Sequence, residues 1–148
     1  MRGDMRGWVD DGVTFPPNPP LHAFDKRNLT HAPYYFPKEV RLAIARETVL
    51  QLKARLRLPV YAICVQSWHS HIATGGSRYD VSEIAKCAKD AATHYLKLDR
   101  RIWGADYDKR FCFDDQLARV RIRYVERHNE EDGLPGGLLD ILDYYQHW

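Results

Sequence analysis

Val60-Tyr61-Ala62-Ile63-Cys64-Val65-Gln66-Ser67-Trp68-His69-Ser70-His71-Ile72-Ala73-Thr74 is the stretch on which the fold turns. Its first six residues form a continuous, β-prone apolar run. Such a run predicts a strand buried on both faces. Gln66–Trp68 reads as a turn, and His69–Thr74 as a second strand that Gly75-Gly76 breaks. The centre of the fold is therefore an expected hairpin.

Helices are expected on either side of it in the chain. Pro37 opens one from the N1 position that proline favours. Its apolar stripe, Val40, Ala43/Ile44, Val49/Leu50, Leu52 and Leu56, runs to about Arg57, and Pro59 ends it. The other face is basic, with Lys38, Arg41, Arg46, Lys53, Arg55 and Arg57. Downstream, Asp80 and Glu83 give an Asp-x-x-Glu capping signal. A helix with Val81, Ile84, Ala85, Ala88, Ala92, Tyr95 and Leu96 on one face follows, to about Leu98. Arg110-Phe111-Cys112-Phe113 is a third strand candidate, with both phenylalanines and Tyr61 expected in the core. Asp114 or Asp115 caps a last helix through about His128, ahead of Gly133-Leu134-Pro135. Residues 1–36 are proline-rich and read as an extended arm, with weak strand signals at Trp8–Val9 and Leu21–Phe24. Residues 136–148 form an acidic tail in which Leu138, Leu139, Ile141 and Leu142 suggest a short amphipathic helix. The order predicts an α+β fold: an antiparallel sheet with helices on one face.

Length and composition agree with one soluble domain. The chain has 148 residues, 45% hydrophobic and 28% charged. It is long enough to bury a core without disulfides or a structural metal. No run approaches the roughly 18 apolar residues of a membrane span. The N-terminus carries no apolar h-region. Three cysteines without Cys-x-x-Cys spacing read as reduced thiols in a cytoplasm. The net charge of +2 conceals an asymmetry. All 22 Lys and Arg precede residue 130, whereas five of the 20 acids lie at or beyond it, so residues 1–129 net +7 and the last 19 residues −5. A basic body suits a polyanionic partner, although ordinary surface charge gives the same count. If the tail competes for that surface, removing residues 136–148 strengthens nonspecific DNA binding.

Two groups of residues carry chemistry. His69 and His71 sit at i and i+2 of the second strand, on one sheet face and about 7 Å apart along the chain. Two imidazoles so placed can grip one metal ion, though His-x-His pairs are often incidental. Arg121, Tyr124 and His128 sit at i, i+3 and i+7 of the last helix, on one face. Taken singly, Tyr124 reads as a core aromatic and His128 as a cation favoured by the helix C-terminus. Taken together with the His pair, His128 becomes a third metal ligand, with Tyr124 one turn away. A phenol has a pKa of about 10 and is a poor nucleophile at neutral pH. A divalent metal that polarises a phosphate oxygen makes attack by Tyr124 feasible, giving a covalent phosphotyrosine. Arg119, Arg121, Arg123 and Arg127, with Lys89 on the preceding helix, are the expected DNA-phosphate contacts. Trp103 and Tyr107 read as packing residues or as platforms for base stacking.

The sequence resembles the single-tyrosine HUH transposases of small insertion sequences and REP-associated elements. The likeness rests on Val60–Ile72 with its closing His69-Ser70-His71, on Trp103-Gly104-Ala105-Asp106-Tyr107-Asp108-Lys109-Arg110-Phe111, and on Arg123-Tyr124-Val125-Glu126-Arg127-His128-Asn129 followed by Asp132-Gly133-Leu134-Pro135. It covers residues 36–135. The resemblance implies a ferredoxin-like domain over residues 37–135, with Tyr124 as nucleophile and His69, His71 and His128 as metal ligands. It implies cleavage and strand transfer on single-stranded, hairpin-containing DNA through a 5′-phosphotyrosine link, with Mg or Mn as cofactor. It also allows a homodimer. Ser70 stands where the family has a hydrophobe, Ser67-Trp68 where it has Pro-Asn, and His128 where it has Asn or Gln. Three imidazoles favour Mn, Zn or another transition metal over Mg. Residues 2–10 resemble an arm that in relatives follows the first strand, so the reading expects that strand to be missing. It then expects three sheet strands after residue 58 and an open edge beside the His-bearing strand. The alternatives are a domesticated or truncated, inactive nucleic-acid-binding module of the same fold, and an unrelated zinc-binding or structural domain.

Overall fold

A computed structural model describes residues 2, 3, 5, 7–10, 13–29, 31–104 and 107–147. Ala105 and Asp106 of the quoted Trp103–Phe111 stretch lie outside these described residues. The chain divides into two compact units: Met1–Tyr34 with Ile102–Phe111, and Tyr35–Arg101 with Cys112–Trp148.

In the first unit, β1 (Trp8–Asp10) pairs antiparallel with β2 (Val13–Phe15), and α1 spans Pro19–Arg27. A helix thus stands where an extended arm was expected. The prolines explain it. Asn18 caps the helix, its side chain accepting from the Leu21 N–H at 3.1 Å. Pro19 and Pro20 then occupy first-turn positions whose N–H groups would have no partner anyway. Arg2 holds the helix with a two-pronged bond to Asp25 at 2.6 and 3.0 Å.

The second unit carries α2 (Lys38–Leu56), β3 (Val60–Val65), β4 (Ser70–Thr74), α3 (Val81–Leu96) and α4 (Asp115–Glu131). The class is α+β with an antiparallel sheet, as expected. Pro37 is the N-cap of α2, one place before the expected N1 position. β3 and β4 pair with Ala62 opposite Ala73, Ile63 opposite Ile72 and Cys64 opposite His71, with a bulge between Val60 and Ala62. β3 is buried along its length apart from half-buried Tyr61. Ala62 and Cys64 form a core with Ile122 and Val125 of α4. Alternation sends Ile63 and Val65 to the other face, where α2 packs with Ile44, Val49 and Leu52 buried. α3 packs on α2 and, among the described residues, on no other element. α2 therefore backs one face of the hairpin, with α3 packed on α2, and α4 crosses the other face.

Two expected elements are absent among the described residues. Arg110–Phe113 is not a strand, so two sheet strands follow residue 58 rather than three. Phe111 and Phe113 are 57% and 88% exposed, not core. A strand needs a neighbour for its N–H and C=O groups, and among the described residues no strand pairs with this segment. No strand among the described residues runs along the second edge of β4; β1 and β2 pair only with each other. The tail likewise forms no helix over 138–142. Its polar groups bond outward instead. The Asp143 N–H donates to the Val60 carbonyl at 2.8 Å, and its carboxylate accepts from the Val60 N–H at 2.9 Å. Leu139 is buried beneath it. All three cysteines are free thiols, and among the described residues no helix is long and apolar enough to cross a membrane.

Candidate active site

The register of the hairpin decides where the histidines point. Directly opposed residues on paired strands share a sheet face. His71 stands opposite Cys64, and Cys64 faces α4. The His71 ring therefore lies on the α4 side. His69 precedes the first residue of β4 by one place, and its ring reaches the same side, 4.8 Å from that of His71 between centroids. The Trp68 ring packs edge-on against His69 at 4.3 Å.

α4 brings the other two residues. Asp114 caps it, accepting from the Leu117 N–H at 2.7 Å. Ile122, Val125 and Asn129 form its buried stripe. Tyr124 and His128 flank that stripe on one side, four residues apart and hence stacked on adjacent turns. The His71 ring meets Tyr124 at 5.4 Å and His128 at 5.0 Å, and Tyr124 meets His128 at 4.5 Å. Four residues chosen from sequence spacing thus form one continuous aromatic cluster. Tyr124 is 42% exposed, so its ring is accessible from solvent.

The His128 ring is oriented by a backbone bond. Its Nδ1 lies 2.8 Å from the Tyr124 carbonyl oxygen. A carbonyl only accepts, so Nδ1 carries the proton, and in the neutral ring Nε2 keeps the lone pair. That tautomer is the one a metal-ligating imidazole uses when its second nitrogen is held by a carbonyl. The ring spacings fit the same chemistry. Two imidazoles sharing an ion at roughly 2.1 Å per nitrogen have centroids about 5 Å apart. As the side chains stand, no three His, Cys, Asp or Glu among the described residues are placed to hold a metal together. The His69–His71 and His71–His128 ring spacings, 4.8 and 5.0 Å, are close to that figure of about 5 Å. Cys64, opposite His71, is buried at 1% exposure. Burial pushes its thiol up to about 11, against a smaller opposing effect of the His71 backbone.

The cationic residues disperse. Arg121 is half-buried on the helix face shared with Tyr124 and His128. Arg123 pairs with Glu126 at 2.8 Å, and Arg119 donates to the His147 carbonyl. By helical period these two occupy the opposite flank of α4, toward the tail. Arg127 is exposed. Lys89 lies on α3, which packs on α2 alone, so the fold does not bring it to the cluster. Trp103 and Tyr107 belong to the first unit.

Sequence reasoning missed one residue. Asn129 is 3% exposed, and its amide donates to the carbonyls of Ile63 at 3.0 Å and Gly136 at 3.2 Å. Asparagine beside a candidate ligand in a helix carries no local signal for a bond 66 positions away. Compared with protein-family models, curated proteins and solved structures, the chain has no match.

Proposed function

We propose that this chain is a metal-assisted tyrosine DNA strand-transferase of the single-tyrosine HUH kind. One observation carries the reading: His71, on the strand that follows β3, contacts both Tyr124 and His128 of the last helix. Residues far apart in sequence and of complementary chemistry meet on one exposed face.

His69, His71 and His128 would hold a divalent ion, Mn or Zn suiting three imidazoles better than Mg. When bound, the ion supplies Lewis-acid polarisation of a phosphate oxygen and lowers the charge barrier to attack. The chain does the rest. The Tyr124 phenolic oxygen forms a bond to the phosphorus of a single-stranded DNA phosphodiester. The bond from phosphorus to the 3′ oxygen breaks, leaving a 5′-phosphotyrosine and a free 3′ hydroxyl. The phenolic proton leaves to solvent at the open rim of the cluster, and the departing 3′ oxygen gains one there. Attack of a second 3′ hydroxyl reverses the step and joins strands. Arg121, on the same helix face as Tyr124, would steady the phosphate. A second copy of the chain is compatible with this scheme but not required by it.

The test uses the full chain, a 5′-and-3′ labelled single-stranded hairpin DNA and Mn. A covalent adduct surviving a denaturing gel is expected from the wild type. Tyr124→Phe should abolish it, by at least 100-fold, with binding affinity kept. Single substitutions at His69, His71 and His128 should each weaken Mn binding. DNA binding without adduct in the wild type would instead support an inactive nucleic-acid-binding module. Unchanged metal affinity in all three histidine variants would remove the metal site.

A further inference from the structure

Asn129 is the only buried polar side chain that α4 presents to the sheet among the described residues. It stands at the point where three parts of the unit meet. Its amide nitrogen donates to the Ile63 carbonyl on β3 and to the Gly136 carbonyl at the start of the tail. Its own backbone carbonyl accepts from the Leu134 N–H at 2.8 Å, which closes the end of the helix. Ile63 is the neighbour of Cys64, and Cys64 is the residue opposite His71. The amide therefore ties α4 to the backbone one residue away from the strand position that sets His71.

Apolar packing of Ile122 and Val125 on Ala62 and Cys64 is non-directional. It tolerates a sliding or rolling helix. A hydrogen bond to a fixed carbonyl does not, because its strength falls steeply with distance and angle. An amide that fails to reach its acceptors leaves buried polar groups unsatisfied, which is costly. We infer that Asn129 is a positioning residue: its amide sets the register of α4 on β3 and thereby holds Tyr124 and His128 against His71. The use of that register in strand transfer rests on the reading of Tyr124 as the nucleophile; the register itself does not.

The experiment follows the ring cluster directly. In the full chain, a nuclear Overhauser contact between the His71 and Tyr124 rings is measured alongside the melting temperature and the rate of adduct formation with Mn. Asn129→Leu keeps the branched outline of the side chain and removes the donor. The expected result is a folded protein in which the ring contact is lost and adduct formation falls at least 10-fold, with affinity for single-stranded DNA unchanged. Asn129→Ala removes the donor and leaves no bulk against the two carbonyls, and the ring contact should be lost there too. Should Asn129→Leu fail to fold, the alanine variant decides the question. Retention of the ring contact in both variants overturns the inference. Should the wild type form no adduct, the nuclear Overhauser arm still decides the register, so failure of the catalytic reading is distinguishable from failure of this one.

Discussion

At the scale of single residues, Asp143 shows how one side chain substitutes for an element. Its backbone and carboxylate both engage Val60, and the carboxylate pairs with Lys53 at 2.9 Å. Burial alone would raise its pKa, but the Lys53 bond and the Val60 N–H outweigh it, and the group lies below the ordinary carboxylate value. A carboxyl whose folded pKa is depressed stabilises the fold above the unfolded value, near 3.9. That stabilisation fades as pH falls through the folded pKa. Asp143→Asn keeps an acceptor for the Val60 N–H but loses the charge. Its cost at pH 7 should be about 1 kcal/mol or less, because the pair is partly exposed. The sharper expectation concerns the acid limb. Between pH 5 and pH 2 the wild-type melting temperature should fall more than that of Asp143→Asn, and parallel curves would refute the linkage. Tyr145 works beside it: its hydroxyl donates to Asp115 at 2.6 Å, and that bond, with burial, raises the phenol to about 12.

At the scale of elements, what was legible depended on how local its cause is. The capping box of Asp80 and Glu83, the Asp114 cap and the apolar run of β3 are settled within a few residues, and the sequence shows them. The end of α4 is equally local. Gly133 adopts φ +76°, its N–H donates to Glu130 at 2.9 Å, and Leu134 donates to Asn129 at 2.8 Å, the paired bonds of a Schellman motif. Gly133→Ala puts a Cβ in the left-handed region and should destabilise the protein by about 1 kcal/mol, read as a lowered urea midpoint with unchanged slope. Nothing lies within 4 Å of the added Cβ, so a larger loss would mean that strain is not the cause. Arg110–Phe113 was misread for the opposite reason. Its alternation is that of a strand, but strand formation depends on a neighbour that a local pattern cannot supply. The same holds for Asn129, whose role appears only once Ile63 is beside it. The tyrosine and the histidines were legible because 2.0 and 3.6 residue periods fix which side chains share a face; that the two faces meet required the hairpin register.

At the scale of the whole molecule, the near-neutral net charge resolves into pairs within the second unit. Asp140 pairs with Arg46 at 2.9 Å and Asp143 with Lys53 at 2.9 Å, so tail acids are set against the basic face of α2. Arg119 is drawn to the tail through the His147 carbonyl. Removing residues 136–148 would therefore do more than uncover charge. It would also strip Leu139 from the core, the Asp143 clamp from Val60 and the Gly136 acceptor from Asn129. A charge substitution separates these effects. Asp140 is 80% exposed at its side chain and Arg46 49% exposed. Loss of such a pair costs within about 0.5 kcal/mol, so Asp140→Asn should fold as the wild type does. It frees Arg46 for phosphate. If the basic face of α2 takes part in nonspecific binding, affinity for oligo(dT) rises at low salt. The slope of log affinity against log salt then steepens by about 0.7, the increment for one added phosphate contact on a single strand. Arg46→Gln in the same background should return the slope to its starting value. A slope unchanged by Asp140→Asn would confine DNA contact to other surfaces and leave the acids of the tail with a purely structural part.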